Sequence, residues 1–143
     1  MFIVDANVLL HAVNRDSPEH RPARTWLDAA LAGPETIGFA WTVLLAFLRV
    51  STHPAVFGQP LAPDAALAVV RSWLAQPTAT VVEPTSRHLS VLGGLLATAG
   101  TAGNLVNDAH LAALAVEHAA GLVSFDTDFA RFEGLDWSRP PRR

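Results

Sequence analysis

Four aspartates carry the chemistry available to this sequence. Asp5 ends the apolar run "FIVD", Asp108 stands in "NDAHLAALAVEH", and Asp126 and Asp128 share "LVSFDTDF". Carboxylates brought together repel, and the repulsion is relieved by a shared proton or a bound cation. All ten basic residues are Arg, so no Lys can neutralise the group or serve as a nucleophile. A hard divalent ion, Mg²⁺ or Mn²⁺, suits such a set, because it takes oxygen ligands and keeps several waters. An ion so held activates water and stabilises phosphoryl oxygens during phosphodiester cleavage. Each acid also has a simpler reading. Asp5 or Asn7 would cap a helix, Asp126 would cap a short helix after it, and Asp108 would sit at the positive end of its own. Only the combination points to a site.

For these acids to meet, distant segments must reach one edge of the molecule. Phe2–Val4 reads as a short buried strand feeding a helix over Ala6–Val13. From Pro18 to Leu31 the residues Trp26, Leu27, Ala30 and Leu31 fall at helical spacing, and Gly33-Pro34 stops the pattern. "TIGFA" reads as a strand, and Thr42 offers an N-cap to an almost wholly apolar helix, Val43 to Ser51. After a loop broken by three prolines, Asp64–Ala75 reads as helix and Thr78–Val82 as strand. Arg87–Ala99 is a helix containing Gly93-Gly94, and Asn104 can cap a long helix through His118. Gly121–Phe125 is a strand, followed by a short helix near Phe129–Phe132 and an apolar remnant at Leu135–Trp137.

Strands separated by helices imply right-handed crossovers and a parallel sheet covered on both faces, the α/β class. The carboxyl ends of parallel strands share one edge, where ligands bind. Asp5 follows the first strand and Asp126 the last long one. On the helix beginning near Leu105, the expected core stripe is Leu105, Ala109, Ala112, Val116 and Ala119, and Asp108 sits beside it, able to face that edge.

Composition narrows the function classes. At 143 residues and 50% hydrophobic, the chain suits one domain over 1–143, with 138–143 expected to be a frayed basic tail. No apolar run is long enough to span a membrane, and no basic segment precedes the N-terminal apolar residues as in a signal peptide. Cysteine is absent, which excludes disulfides and thiolate zinc sites. A cytoplasmic protein is expected. The net charge of −3 argues against gripping nucleic acid by bulk charge, although a few placed arginines can still bind phosphate bidentately. Without Lys, a phosphoacceptor receiver domain is excluded. A haloacid-dehalogenase-like phosphatase is disfavoured on the same ground, and because Asn7 stands where a second Asp is wanted.

The segments "FIVDANVLL", "NDAHLAALAVEH" and "LVSFDTDFARFEGLDW" resemble, in order and spacing, the PIN-domain ribonucleases, and specifically the VapC toxins of type II toxin–antitoxin systems. The middle stretch "WTVLLAFLRVSTHPAVFGQPL" resembles a mycobacterial VapC subfamily. The resemblance implies a PIN-like three-layer fold, a central parallel β-sheet flanked by α-helices, with Mg²⁺- or Mn²⁺-dependent cleavage of RNA such as tRNA or rRNA. It implies neutralisation by a VapB-type antitoxin, and a homodimer. Asp5, Asp108 and Asp126 match the family's acidic positions as catalytic metal ligands. Ser124 matches a hydroxyl residue two before the last acid, and Asn7 a polar residue two after the first.

One position departs from the pattern. Many PIN domains carry a Glu directly before a Leu-Arg pair in the helix after the second strand, and here Phe47 precedes Leu48-Arg49. A phenyl ring cannot ligate a metal, so Asp128 becomes the candidate replacement ligand. Arg49 is a candidate contact for RNA phosphate or an antitoxin carboxylate. The "VLLAFL" run offers an apolar surface for an antitoxin helix or a second subunit. An alternative to the enzyme is a PIN module of weakened activity serving mainly as a binding partner.

Overall fold

The computed structural model describes residues 1–100 and 103–142. Among them, five parallel strands form one sheet flanked by six α-helices. The strands are β1 (Phe2–Val4), β2 (Ile37–Ala40), β3 (Ala79–Val82), β4 (Gly121–Val123) and β5 (Trp137–Ser138). The helices are α1 (Ala6–Val13), α2 (His20–Ala32), α3 (Trp41–Ser51), α4 (Pro63–Leu74), α5 (His88–Ala99) and α6 (Val106–Glu117), with 3₁₀ turns at Gly103–Leu105 and Thr127–Arg131. The sheet order is β3-β2-β1-β4-β5. The chain therefore winds outward from β1 in one direction, then returns to β1's other side as β4. That reversal opens a crevice beyond the carboxyl ends of β1 and β4, the position where α/β sheets bind ligands.

Burial follows from the sequence. β1, β2 and β4 are apolar on both faces, as strands covered by helices must be. Gly121 lets β4 lie close to β1, because a Cβ there would meet the Phe2 ring at 2.9 Å. Phe39, Phe47 and Trp73 form an aromatic cluster under α3 and α4, with ring centroids 4.9 Å apart for Phe47 and Trp73. No described helix is long and apolar enough to cross a membrane.

Several boundaries differ from the sequence expectation. β2 runs directly into α3, whose N-cap is Ala40 with no side-chain cap bond. Thr42 lies inside the helix and caps nothing, because no linker separates strand from helix. α2 begins at His20 rather than Pro18, since Ser17 Oγ accepts the Glu19 amide and holds those residues in a turn. β4 stops at Val123, where the chain bends to aim Ser124 across at Asp5. α6 is enclosed well beyond one stripe, with Leu111, Ala113, Leu114 and Ala115 buried too. Ala119 lies past its end, exposed, at φ +50°. The expected Asn104 cap concerns a side chain outside the described residues. The remnant at Leu135–Trp137 becomes a fifth strand, paired Leu122↔Trp137 and Val123↔Ser138, and the segment expected to fray from 138 is, over its described residues, held to the sheet through Ser138 and to Glu19 through Arg142.

Candidate active site

The N-cap reading of Asp5 is correct and incomplete. Its Oδ1 accepts the Ala6 amide at 2.7 Å, which starts α1. Its Oδ2 is free to accept two further bonds, from Ser124 Oγ at 2.7 Å and Asn7 Nδ2 at 3.2 Å. Asn7 Nδ2 also donates to Ser124 Oγ at 3.0 Å, and Asn7 Oδ1 accepts the Phe125 amide. Ser124 Oγ, fully buried, accepts the Asp126 amide at 3.0 Å. Asp5 and Ser124, at the ends of β1 and β4, thus join Asn7 of α1 and the Asp126 amide in one network that fixes the Asp5 carboxylate. Trp137 Nε1 closes it from β5 by donating to the Ser124 carbonyl at 3.1 Å.

Asp108 faces this network from the first turn of α6. It lines a cleft of about 460 Å³ with Asp5, with Val43, Ala46 and Arg49 of α3, and with Asn107 and Leu111. Burial pushes the Asp108 carboxyl up to about 6, and the charges of Asp126, Asp5 and Asp128 push in the same direction. Asp5 is also raised, chiefly by burial with help from Asp126, against the lowering bonds from Ser124 and Ala6. Both shifts have one meaning: the site resists full ionisation unless positive charge is supplied. The donor set is all oxygen, which suits a hard divalent cation. Among the described residues, no three acidic or histidine side chains yet converge on one point as ligands. The acids are grouped within electrostatic reach of one another.

Asp126 and Asp128 are handled differently by the fold. Asp126 Oδ1 caps the Thr127–Arg131 turn by accepting the Asp128 amide at 2.9 Å. The Asp128 side chain is exposed and leans on Arg131 at 3.8 Å.

A sequence profile of the PIN domain matches residues 2–135. The chain belongs to the PIN-domain family. Within that family it belongs to the VapC group. It is 56% identical over 141 residues to Ribonuclease VapC37 of Mycobacterium tuberculosis, covering 99% of this chain and 98% of that protein. It is 42% identical over 142 residues to Ribonuclease VapC33 of the same species, covering 99% of each. Among solved structures, VapBC2 from Rickettsia felis, bound to a promoter DNA fragment, superposes with a TM-score of 0.71 at 18% identity over 96% of this chain and 97% of that one. VapC20 of M. tuberculosis, a sarcin-ricin loop cleaving toxin, gives 0.67 at 17% identity over 91% and 93%. These two likenesses speak to the fold.

The PIN fold also corrects the expectation about Phe47. That ring is fully buried against Trp73, on the side of α3 turned to the core. It displaces nothing from the cleft, and an acid there would face an apolar cluster. The α3 residues turned toward Asp5 and Asp108 include Ala46, one helical step away, so the helix brings Arg49 to the cleft and no carboxylate. Asn107, also in the lining, carried no signal in the sequence reading, and Thr42, likewise in the lining, was read there only as a helix cap. Their exposure to the cleft depends on helix rotation, which a motif does not specify.

Proposed function

We propose that this PIN domain, a single unit over 1–143, is a divalent-metal-dependent endoribonuclease and the toxin of a VapBC-type pair, with structured RNA such as tRNA or rRNA as substrate. The observation that carries the reading is Asp108, raised toward 6 in a cleft it shares with Asp5 at the sheet's switch point. Asp5, Asp108 and Asp126 would hold Mg²⁺ or Mn²⁺ there, with Asp128 as a further candidate ligand. A bound ion would supply water activation and stabilisation of the phosphoryl oxygens for hydrolysis of the phosphodiester.

The chain's own residues then have distinct tasks. Ser124 and Asn7 hold the Asp5 carboxylate in one orientation, so that it need not reorganise when charge arrives. Arg49, on the cleft wall, takes a phosphate oxygen of the RNA or a carboxylate of the antitoxin. A VapB-type antitoxin, a cytoplasmic setting and a homodimer complete the reading. Exposed Trp41 and Leu45, one turn apart on α3, support the homodimer. The alternative of a catalytically weakened binding module drew on the missing fourth acid, which α3 does not supply; the similarity to relatives named ribonucleases favours the enzyme.

The deciding experiment maps RNA 5′ ends after brief expression of the wild-type chain and of Asp5→Asn, with cleavage by the purified proteins measured with and without EDTA. Metal-dependent ends lost in the variant are expected. Ser124→Ala should retain some activity, lowered roughly tenfold to a hundredfold, as for a group that orients a ligand. Wild-type cleavage by a folded Asp5→Asn protein would show the site to be misassigned.

A further inference from the structure

The ribonuclease reading leaves a physical problem: a site of four acids in a chain of net charge −3 must attract a polyanion. Arg49 supplies one cation, on the flank of the cleft reached from β2 through α3. The sheet places a second cation on the opposite flank. β5 pairs with β4 in register Val123↔Ser138, and the Ser124 amide donates to the Ser138 carbonyl at 3.0 Å. Arg139 therefore leaves the sheet at the same edge as Ser124, beside the network that holds Asp5. Its guanidinium lies 5.6 Å from the centre of the Phe125 ring, between Ser124 and Asp126 in the chain. In the order β2-β1-β4-β5, a strand of RNA crossing this edge meets Arg49, then the acids, then Arg139.

What holds Arg139 there is incompletely matched. The Glu19 carboxylate, in the turn before α2, accepts Arg142 Nη2 at 2.6 Å and has Arg139 Nη2 at 3.9 Å. Two guanidiniums share one carboxylate, leaving an excess positive charge. Arg139 and Arg142 are 40% and 75% exposed while Glu19 is 17% exposed, so the cations, not the acid, face solvent. Guanidinium forks match phosphate oxygens bidentately.

We propose that Arg139, backed by Arg142, is a phosphate-binding arm for RNA on the β5 flank of the cleft, with Glu19 holding both guanidiniums when no strand is bound. The proposal rests on the ribonuclease reading for its ligand. It is tested by fluorescence anisotropy with fluorescein-labelled bulk tRNA, in an Asp5→Asn background that prevents cleavage, across a salt series. Arg139→Ala and Arg139→Gln should weaken binding roughly fivefold at low salt and flatten the log–log salt slope by about 0.7–0.9, the loss of one phosphate contact. Arg142→Ala should act in the same direction and less, and Glu19→Gln should tighten binding about twofold.

Unchanged affinity and slope in a folded Arg139→Ala protein would overturn the proposal. So would a lowered melting temperature with an unchanged slope, the mark of a mere staple. Loss of a co-purifying antitoxin with RNA binding intact would overturn it as well, making the patch a protein contact. Cleavage by the Asp5-intact chain is scored separately. If it is absent while binding still depends on Arg139, the ribonuclease reading fails and the arm stands. If cleavage persists while Arg139→Ala binds RNA normally, the arm alone fails.

Discussion

Asp108 combines partial burial with three acidic neighbours, and its carboxyl rises to about 6 from 3.8. A carboxyl whose folded value is raised holds its proton longer in the folded state than in the unfolded one. Its ionisation therefore destabilises the fold, progressively as pH rises from about 4 through 6. In buffer containing EDTA, Asp108→Asn should raise the melting temperature at pH 7.5, because the amide keeps the shape and removes the charge. At pH 5 the wild-type acid is mostly protonated and the advantage should shrink. A variant no more stable than wild type at pH 7.5 would mean that the acids do not repel at this distance. The gathering of Asp5, Asp108 and Asp126 at one edge of the sheet was legible in the sequence because each stands at an interpretable element boundary. The geometry of α3 was not. Positions 46 and 47 are adjacent in a motif but about 100° apart around a helix, so a pattern of residues placed Phe47 at a site it does not face.

At the scale of elements, the strands and helices were legible because apolar runs and breakers alternate so regularly. What escaped was local. The two-residue β5 is too short to show alternation, and it exists because Trp137 and Ser138 bond to β4. Glu117 escaped for the opposite reason: a glutamate near a helix end reads as solvated surface, and here it is 8% exposed. Its Oε1 accepts the Thr85 amide at 2.9 Å and Thr85 Oγ1 at 2.7 Å, and its Oε2 accepts His88 Nδ1. Arg87 Nη2 donates to its carbonyl, and His88 Nε2 lies 2.9 Å from His110 Nδ1 on α6. The carboxylate thus pins the entry of α5 to the far end of α6, the helix that carries Asp108. Burial works to raise the Glu117 carboxyl, and the bonds from Thr85 and His88 outweigh it and hold it below its ordinary value. A lowered acid adds stability above the unfolded value near 4.5, lost as pH falls through the folded one. Glu117→Ala should cost about 2 kcal/mol at pH 7 in urea unfolding, for buried donors left without an acceptor. Its deficit should narrow in acid. A cost under about 0.5 kcal/mol would show that water replaces the carboxylate freely.

For the whole molecule, the unexplained expense of the fold is apolar surface left in water. α3 buries Val43, Leu44 and Phe47 but leaves Trp41 49% and Leu45 59% exposed, one turn apart on one ridge. A Trp and a Leu adjacent on a helix face form the kind of anchor that protein interfaces bury. Leu45 also lines the cleft of Asp5 and Asp108, so whatever covers the ridge borders the site. A second copy of the chain fits the homodimer that the sequence resemblance implies. The wild-type protein should therefore elute as a dimer in size-exclusion chromatography with light scattering, and Trp41→Glu with Leu45→Ser, which adds no charge to the cleft wall, as a monomer. Because neither residue touches the acids' hydrogen-bond network, the double variant should keep its melting temperature and Mn²⁺ affinity while RNA cleavage falls. A wild-type monomer, or a double variant that still dimerises, would place the dimer contact elsewhere or remove it. A monomeric variant with undiminished cleavage would show that one copy of the cleft is sufficient.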